Sequence, residues 1–201
     1  MLVLLAVSLT AAALCGCRSS SPTAATLASS APAATPRKPA DLMTRNNSLT
    51  LLDQLLDDEK NVHFLLVIKS ATPELKRLVK TISQTSGEGS KMIKACKKGD
   101  PGLSLPGNGL PPGETAARAG LSKTKEHDLL HSKGPELELQ LLLTQAEALG
   151  YGAQLSLDVA VNDPQADRSR QFARLSEQLK LLHEQVIAML RERQPTEPPK
   201  N

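Results

Sequence analysis

The chain has 201 residues, a formal net charge of +3 at pH 7, and hydrophobic residues at 40% of its positions. Aromatic residues make up 1% and Trp is absent, so leucine is the main apolar side chain available for a core. A net charge of +3 is too small to favour nucleic-acid binding, and the chain has too few aromatic side chains to stack on bases.

The first 17 residues are similar to a bacterial lipoprotein export signal. Residues 1–16 are uncharged, rich in Leu, Val and Ala, and end in Leu-Cys-Gly directly before Cys17. The resemblance implies cleavage before Cys17 and acylation of its sulfur and its new amine, and several acyl chains make a durable anchor. A cleaved signal without lipid and a transmembrane helix are the alternatives, although a span needs about 20 apolar residues and polar residues follow at 18–20.

This leader predicts a membrane-anchored lipoprotein of the bacterial cell envelope that faces the periplasm or the exterior. Residues 17–47 carry the lipidated Cys17 and are rich in Ser, Ala, Thr and Pro, so they bury too little apolar surface to offset the entropy of ordering. We therefore expect a disordered tether there and a disordered, proline-containing tail at 194–201. The folded domain is predicted at 48–193.

Residues 48–193 show helical periodicity almost throughout and no alternating strand pattern, which predicts an all-α fold. Gly134-Pro135 either kinks the helix before it or begins a long third helix. The expected elements are a first helix over about 49–69, a second over 73–98, a Gly- and Pro-rich loop over 99–113, a short helix over 114–132, a third long helix reaching 161 and a fourth that starts at Asp163-Pro164. One long connection between the second and third long helices predicts an antiparallel, ferritin-like four-helix bundle.

The second helix has the clearest start signal. Thr72 is a candidate N-cap, Pro73 suits the first helical position and Glu74 places an acid in the first turn. Gly87 and Gly89 interrupt this helix, and each interior glycine costs about 1 kcal/mol relative to alanine. We expect one helix that bends there unless close packing compensates.

Apolar residues at three- and four-residue spacing predict which faces of the other long helices are buried. The predicted stripes are, for the first helix, Leu52, Leu55, Leu56, Val62 and Leu66; for the third, Leu139, Leu142, Ala146, Leu149, Ala153, Leu157 and Ala160; and for the fourth, Phe172, Leu175, Leu179, Leu182, Val186 and Met189. In the loop, Leu103, Leu105 and Leu110 are expected to dock on the bundle.

Four residues beside these stripes are candidates for a metal site, because imidazole and carboxylate groups suit zinc, iron or manganese. They are Glu59, His63, Glu147 and His183. The Glu-x-x-His spacing of di-iron bundles is absent, since Glu59 and His63 are four residues apart. The alternative is that the histidines are boundary residues paired with nearby groups, in which case no cofactor is expected; the pair His127 and His131 is a weaker candidate.

No arrangement of nucleophile, base and acid and no phosphate-binding loop is present, so catalytic residues and an enzyme are not predicted. Cys96 is the only free thiol expected after the leader is cleaved and Cys17 is acylated, and we interpret it as a small core residue. A basic run on the second helix is interpreted as a solvated face or as a contact for anionic lipid headgroups; it comprises Lys76, Arg77, Lys80, Lys91, Lys94, Lys97 and Lys98. The expected partners are the membrane, through the lipid anchor, and an envelope protein.

Between residues 51 and 190 the layout is similar to a family of exported bacterial proteins called domain of unknown function 4142. The resemblance lies in Thr-Pro-Glu-Leu-Lys at 72–76, in the leucine-rich third helix, and in Leu-Ser-Glu-Gln-Leu-Lys-Leu-Leu-His at 175–183. It implies a ferritin-like bundle and an envelope location. Family members commonly carry histidines where this chain has Gln84 and Ala146, so the resemblance does not imply a working metal centre.

Overall fold

The computed structural model describes residues 39–105 and 110–193, all within one compact unit. In these ranges the chain is helical and has no β-strand, which confirms the predicted all-α class. The predicted leader at 1–16, Cys17, the tether up to residue 38 and the tail at 194–201 lie outside the described residues. The helices are α1 (Pro39–Glu59), α2 (Leu65–Ile68), α3 (Pro73–Gly99), α4 (Pro112–His131), α5 (Gly134–Asn162) and α6 (Ala166–Glu192), with 3-10 turns at Val62–Phe64 and Pro101–Leu103.

The first helix differs from the prediction at both ends. It begins at Pro39 instead of about residue 49, so its first turns lie in the stretch of 17–47 that was predicted as the tether, before the predicted domain start at 48. Its polar first half is anchored, because Arg45 is buried and Asn46 Nδ2 donates to the carbonyl of Gly102 at 2.7 Å. It ends at Glu59 instead of running to residue 69, since Asn61 bonds back to the carbonyl of Asp57 and a 3-10 turn leads into α2.

The second long helix, α3, is continuous from Pro73 to Gly99, as expected. Pro73 occupies the start of the helix, but the Thr72 side chain does not cap it. Gly89 does not break the helix because two leucines fill the space that a side chain would need. A Cβ placed there would lie 2.8 Å from Leu56 Cδ1 and 3.3 Å from the methyl groups of Leu175.

The short helix α4 and the long helix α5 are separate, which settles the alternative at Gly134-Pro135. Gly134 has φ of +56°, a left-handed conformation that favours glycine, and the following proline disfavours a right-handed helical residue before it. In the preceding loop Leu103 is fully buried, whereas Leu105 and Leu110 are partly buried.

The predicted buried face of α5 is confirmed in part. Leu142, Leu149 and Ala160 are buried, and Ala146 and Ala153 pack against the core. Leu139 and Leu157 are 44% and 43% exposed, because the buried face is shifted around the helix toward Leu141, Gln145 and Gly152. The α5 sequence is apolar on several faces, so three- and four-residue spacing fits more than one stripe.

The α6 stripe is confirmed. Phe172, Leu175, Leu179, Leu182 and Val186 are buried and Met189 is partly buried, packed on the same cluster. Helices α5 and α6 make the most extensive contact in the described part of the chain, followed by α1 with α5, α1 with α3, and α3 with α6.

None of the helices in residues 39–105 and 110–193 combines the length and apolar character needed to cross a membrane.

Candidate functional site

Glu59 occupies the most unusual electrostatic position among the predicted site residues. It is the last residue of α1, and its carboxylate accepts a hydrogen bond of 2.9 Å from Nε2 of Gln145, which is 1% exposed. Burial raises the pKa of Glu59 to about 7, the Asp58 charge acts in the same direction, and the Gln145 bond and Lys125 oppose it. Glu59 therefore exchanges its proton near neutral pH.

Gln145 leaves one polar atom without a partner. Its Oε1 is buried and accepts no hydrogen bond, while its Nε2 is engaged by Glu59. A protonated Glu59 could donate to Oε1 if the Gln145 amide were rotated by 180°. A carboxylic acid has an O–H donor and a carbonyl acceptor, and a primary amide has N–H donors and a carbonyl acceptor. The pair can thus accommodate both protonation states of Glu59 without a third group.

His63 joins the 3-10 turn after α1 to helix α3. Its Nδ1 lies 2.6 Å from Ser83 Oγ and 3.2 Å from the carbonyl of Lys60, and the Ser83 hydroxyl donates to that same carbonyl. Both neighbours of Nδ1 thus serve as acceptors, which assigns the proton of the neutral ring to Nδ1. The ring also packs on Phe64 with centroids 4.1 Å apart. His63 therefore acts as a structural link between helices.

Glu147 and His183 lie away from this link. The Glu147 side chain is 69% exposed and pairs with Lys125 of α4 at 2.5 Å. His183 is partly buried beside Gly150, where a Cβ would lie 3.5 Å from the imidazole ring. The weaker candidates His127 and His131 stack on each other on exposed α4, with centroids 4.0 Å apart.

The structure does not bring Glu59, His63, Glu147 and His183 together as a metal site. In the described ranges no three His, Cys, Asp or Glu side chains are grouped so that they could hold a metal ion. The rotation of α5 is the physical reason, since it turns Gln145 toward Glu59 and Glu147 outward to α4.

A buried ion-pair cluster that was not predicted from the sequence lies toward the opposite end of α1. Arg168 Nε donates to Asp163, and its guanidinium also reaches Asp100 Oδ2 at 3.0 Å; the Arg168 and Asp163 side chains are 6% and 0% exposed. Asp100 accepts from the amide of Gly102, and Asp163 from that of Gln165. A signal was available, because Arg168 lies one turn before Phe172 on the buried stripe.

Cys96 is partly buried close to this cluster. Burial raises the pKa of the thiol, so it stays protonated at neutral pH and is a poor nucleophile. This position agrees with its interpretation as a packing residue.

No protein-family model, no curated protein and no solved structure matches this chain.

Proposed function

We propose that this chain is a lipid-anchored protein of the bacterial cell envelope, whose helical domain binds or scaffolds a partner and does not catalyse a reaction. The observation that carries the proposal is the uncharged leader ending in Leu-Cys-Gly-Cys at 14–17. A lipidated Cys17 would hold the domain that starts at Pro39 close to the membrane, facing the periplasm or the exterior.

The fold that suits this role is an antiparallel four-helix bundle of α1, α3, α5 and α6, with α4 in the connection between α3 and α5. Pairs of contacts support the arrangement. Glu59 meets Gln145 while Leu55, earlier in α1, approaches Gly152, later in α5, an order that favours opposite directions for the two helices. The α1 end of the chain meets α3 in the same reversed order, in the pairs Leu56–Gly89 and Lys60–Ser83. Helices α5 and α6 do so in the pairs Gly150–His183 and Ala160–Ser169. For α3 and α6, Gly89 lies near Leu175, while Leu78 and Met189 line one surface recess. The proposal includes a relationship to the domain of unknown function 4142 family. It is supported by the similar layout of the helices between residues 51 and 190.

An exposed apolar line on α5 supports a binding role. Leu139, Leu143, Leu157 and Val161 are 44%, 53%, 43% and 61% exposed. The pairs 139 and 157, and 143 and 161, are 18 residues apart, which is five helical turns, so all four side chains lie along one side of the helix. A helix that is apolar on its outer as well as its inner face is suited to contact with another protein.

The lipid anchor is tested by substituting Cys17 with serine in the full chain. The parent should fractionate with membranes and give an amino-terminal peptide carrying the mass of its acyl chains. Cys17→Ser should lack that mass and leave the membrane fraction, and globomycin should cause the unprocessed precursor to accumulate. Unchanged membrane retention of Cys17→Ser, without acyl mass in the parent, would contradict the proposal.

The binding role is tested by a photo-crosslinking residue at position 143 or 157 in living cells, with position 177, an exposed site on α6, as the control. We expect discrete crosslinked products from positions 143 and 157 and none from 177. An absence of products at both α5 positions would contradict a partner on this helix.

A further inference from the structure

Four lysines form a continuous line along α3. Lys76, Lys80, Lys91 and Lys98 are all exposed and are spaced by four, eleven and seven residues. At 3.6 residues per turn these intervals keep the four side chains within an arc of about 60°, over an axial length of about 33 Å. We call this set the lysine stripe.

The stripe differs from the other basic residues of the same helix. Arg77 pairs with Glu74, and Lys94 and Lys97 pair with Asp57 and Asp53 of α1. The four lysines of the stripe form no ion pair with any residue in the described part of the chain. Since Glu74 and Glu88 are the only acids in α3, its outward face carries a net positive charge.

An exposed apolar turn adjoins the stripe. Phe64, Val67 and Ile68 are 58%, 76% and 71% exposed. The 3-10 turn containing Phe64 packs on α3, where His63 contacts Ser83, one turn from Lys80. Three large apolar side chains so close together are unusual on a protein surface that meets only water.

We propose that the lysine stripe and this apolar turn form a surface that lies on an anionic phospholipid bilayer. The partner follows from the chemistry, because lysines spread over about 33 Å match a plane of phosphate groups and exposed Phe, Val and Ile side chains enter the acyl boundary. An acidic protein or a nucleic acid would use the lysines and leave the apolar turn in water.

This inference rests on the proposed location at a membrane, and covalent geometry allows it. Residues 18–38 separate Cys17 from α1 and can span at most about 70–75 Å, so the lipid anchor does not prevent α3 from lying flat. One lipid anchor together with a basic surface would also fix which side of the domain faces away from the membrane.

The test measures partition of the full chain carrying Cys17→Ser between buffer and vesicles, so that acylation plays no part. Vesicles of phosphatidylcholine alone are compared with vesicles containing about one-third phosphatidylglycerol, by lipid titration at low and high salt. Residues 1–16 carry no charged side chain and are the same in every variant, so their contribution cancels when the ratios of two variants are compared. We expect a ratio well above one that collapses at high salt, because salt screens exposed charges.

The triple substitution Lys80→Gln, Lys91→Gln and Lys98→Gln should lower that ratio by about a hundredfold, since each lysine near an anionic surface contributes about fivefold. The control triple removes the same charge from α4, with Arg118→Gln, Lys123→Gln and Lys125→Gln, and should leave the ratio nearly unchanged. Ile68→Ser should lower partition into both kinds of vesicle by roughly fivefold. The single variant Lys91→Gln, checked by circular dichroism, serves if the triple does not fold.

A ratio of one, or equal losses from the α3 and α4 triples, would overturn the inference. So would binding to polyglutamate or duplex DNA with no binding to anionic vesicles, because the surface would then serve another class of partner. These outcomes are independent of Cys17. A failure of the lipid anchor in cells therefore leaves the vesicle result to be judged separately.

Discussion

Helices α4 and α6 are both regular, yet they differ sharply in how much of each is buried. In α6, with 27 residues, seven residues are buried, whereas in α4, with 20 residues, none is. Local features and exposed contacts with α5 hold α4. Pro112 and Glu114 favour its start and Arg118 pairs with Glu114, while Lys125 pairs with Glu147 of α5. Helix content alone is therefore a poor guide to what stabilises this domain, and α4 should open first under mild denaturation.

Truncating one large apolar side chain in each helix should give the largest difference in stability between α6 and α4. Phe172 is fully buried in α6, so Phe172→Ala should lower the free energy of unfolding by about 3–5 kcal/mol. Leu121 of α4 is 61% exposed, and Leu121→Ala should change that free energy by less than about 0.5 kcal/mol. Urea unfolding followed by circular dichroism measures both; similar losses would show that α4 is packed in solution.

The next largest effect separates a buried from an exposed arginine. Arg168→Met leaves the buried carboxylate of Asp163 without its partner and should cost about 3 kcal/mol, near the lower end for such pairs because Gln165 still donates to Asp163. Arg118→Met in α4 removes a pair whose side chains are 42% and 47% exposed and should cost less than about 1 kcal/mol.

A second substitution, which removes the charge of Asp163, tests why Arg168→Met is destabilising. Adding Asp163→Asn to Arg168→Met removes the unpaired carboxylate and should recover part of the lost stability. If the double variant were no more stable than Arg168→Met, packing of the arginine side chain and not its charge would explain the loss.

Glu59 predicts a pH dependence that the α4 side of the molecule lacks. Its folded pKa of about 7 lies above its ordinary value of 4.5, so between these values the folded protein holds a proton that the unfolded chain has lost. The free energy of unfolding should therefore fall as pH rises from about 4.5 to 7, by an amount on the order of 2–3 kcal/mol, and then stay level. Glu59→Gln should abolish this fall.

The matched control is Glu147→Gln, which removes an exposed carboxylate that pairs with Lys125 of α4. It should leave the fall between pH 4.5 and 7 in place. Asp57 affects a different window, because hydrogen bonds from Lys60 and Lys94 lower its pKa to about 2 and the stability they supply is lost as the pH falls from about 4 to 2. A fall that survives in Glu59→Gln would contradict the assignment.

The same contrast explains how much of the fold the sequence could predict. The α6 stripe and the start of α3 were predictable because an apolar face alternates with charged residues in one and Pro73 marks the other. The face of α5 was predictable only in part, since apolar residues lie on several sides of that helix and its neighbours select which of them are buried. The start of α1 was missed because it depends on a distant contact: Asn46 donates to the carbonyl of Gly102, 56 residues away, and the buried Arg45 donates to Asn46.

The candidate site follows the same rule. Glu59 and His63 were recognisable as polar residues beside an apolar stripe, but their partners Gln145 and Ser83 lie on other helices. Which residue of α5 meets Glu59 depends on the rotation of that helix, and a change of two positions separates a buried Gln145 from an exposed Glu147. Ligand types alone could not establish this geometry.

The smallest expected effect compares two glycines under the same substitution. In Gly89→Ala the new methyl group would lie 2.8 Å from Leu56 Cδ1, which forces the leucine or the helix to move, and should cost about 1–2 kcal/mol. In Gly120→Ala, within α4, no atom lies within 4 Å of the new Cβ, so higher helix propensity should stabilise the helix by about 0.5–1 kcal/mol.

Because α4 is expected to open locally, the gain from Gly120→Ala should appear in amide exchange of α4 more clearly than in global unfolding. Opposite signs for the two alanines would show that close packing maintains α3 and that propensity maintains α4, whereas a stabilising Gly89→Ala would mean that Leu56 and Leu175 can readily give way.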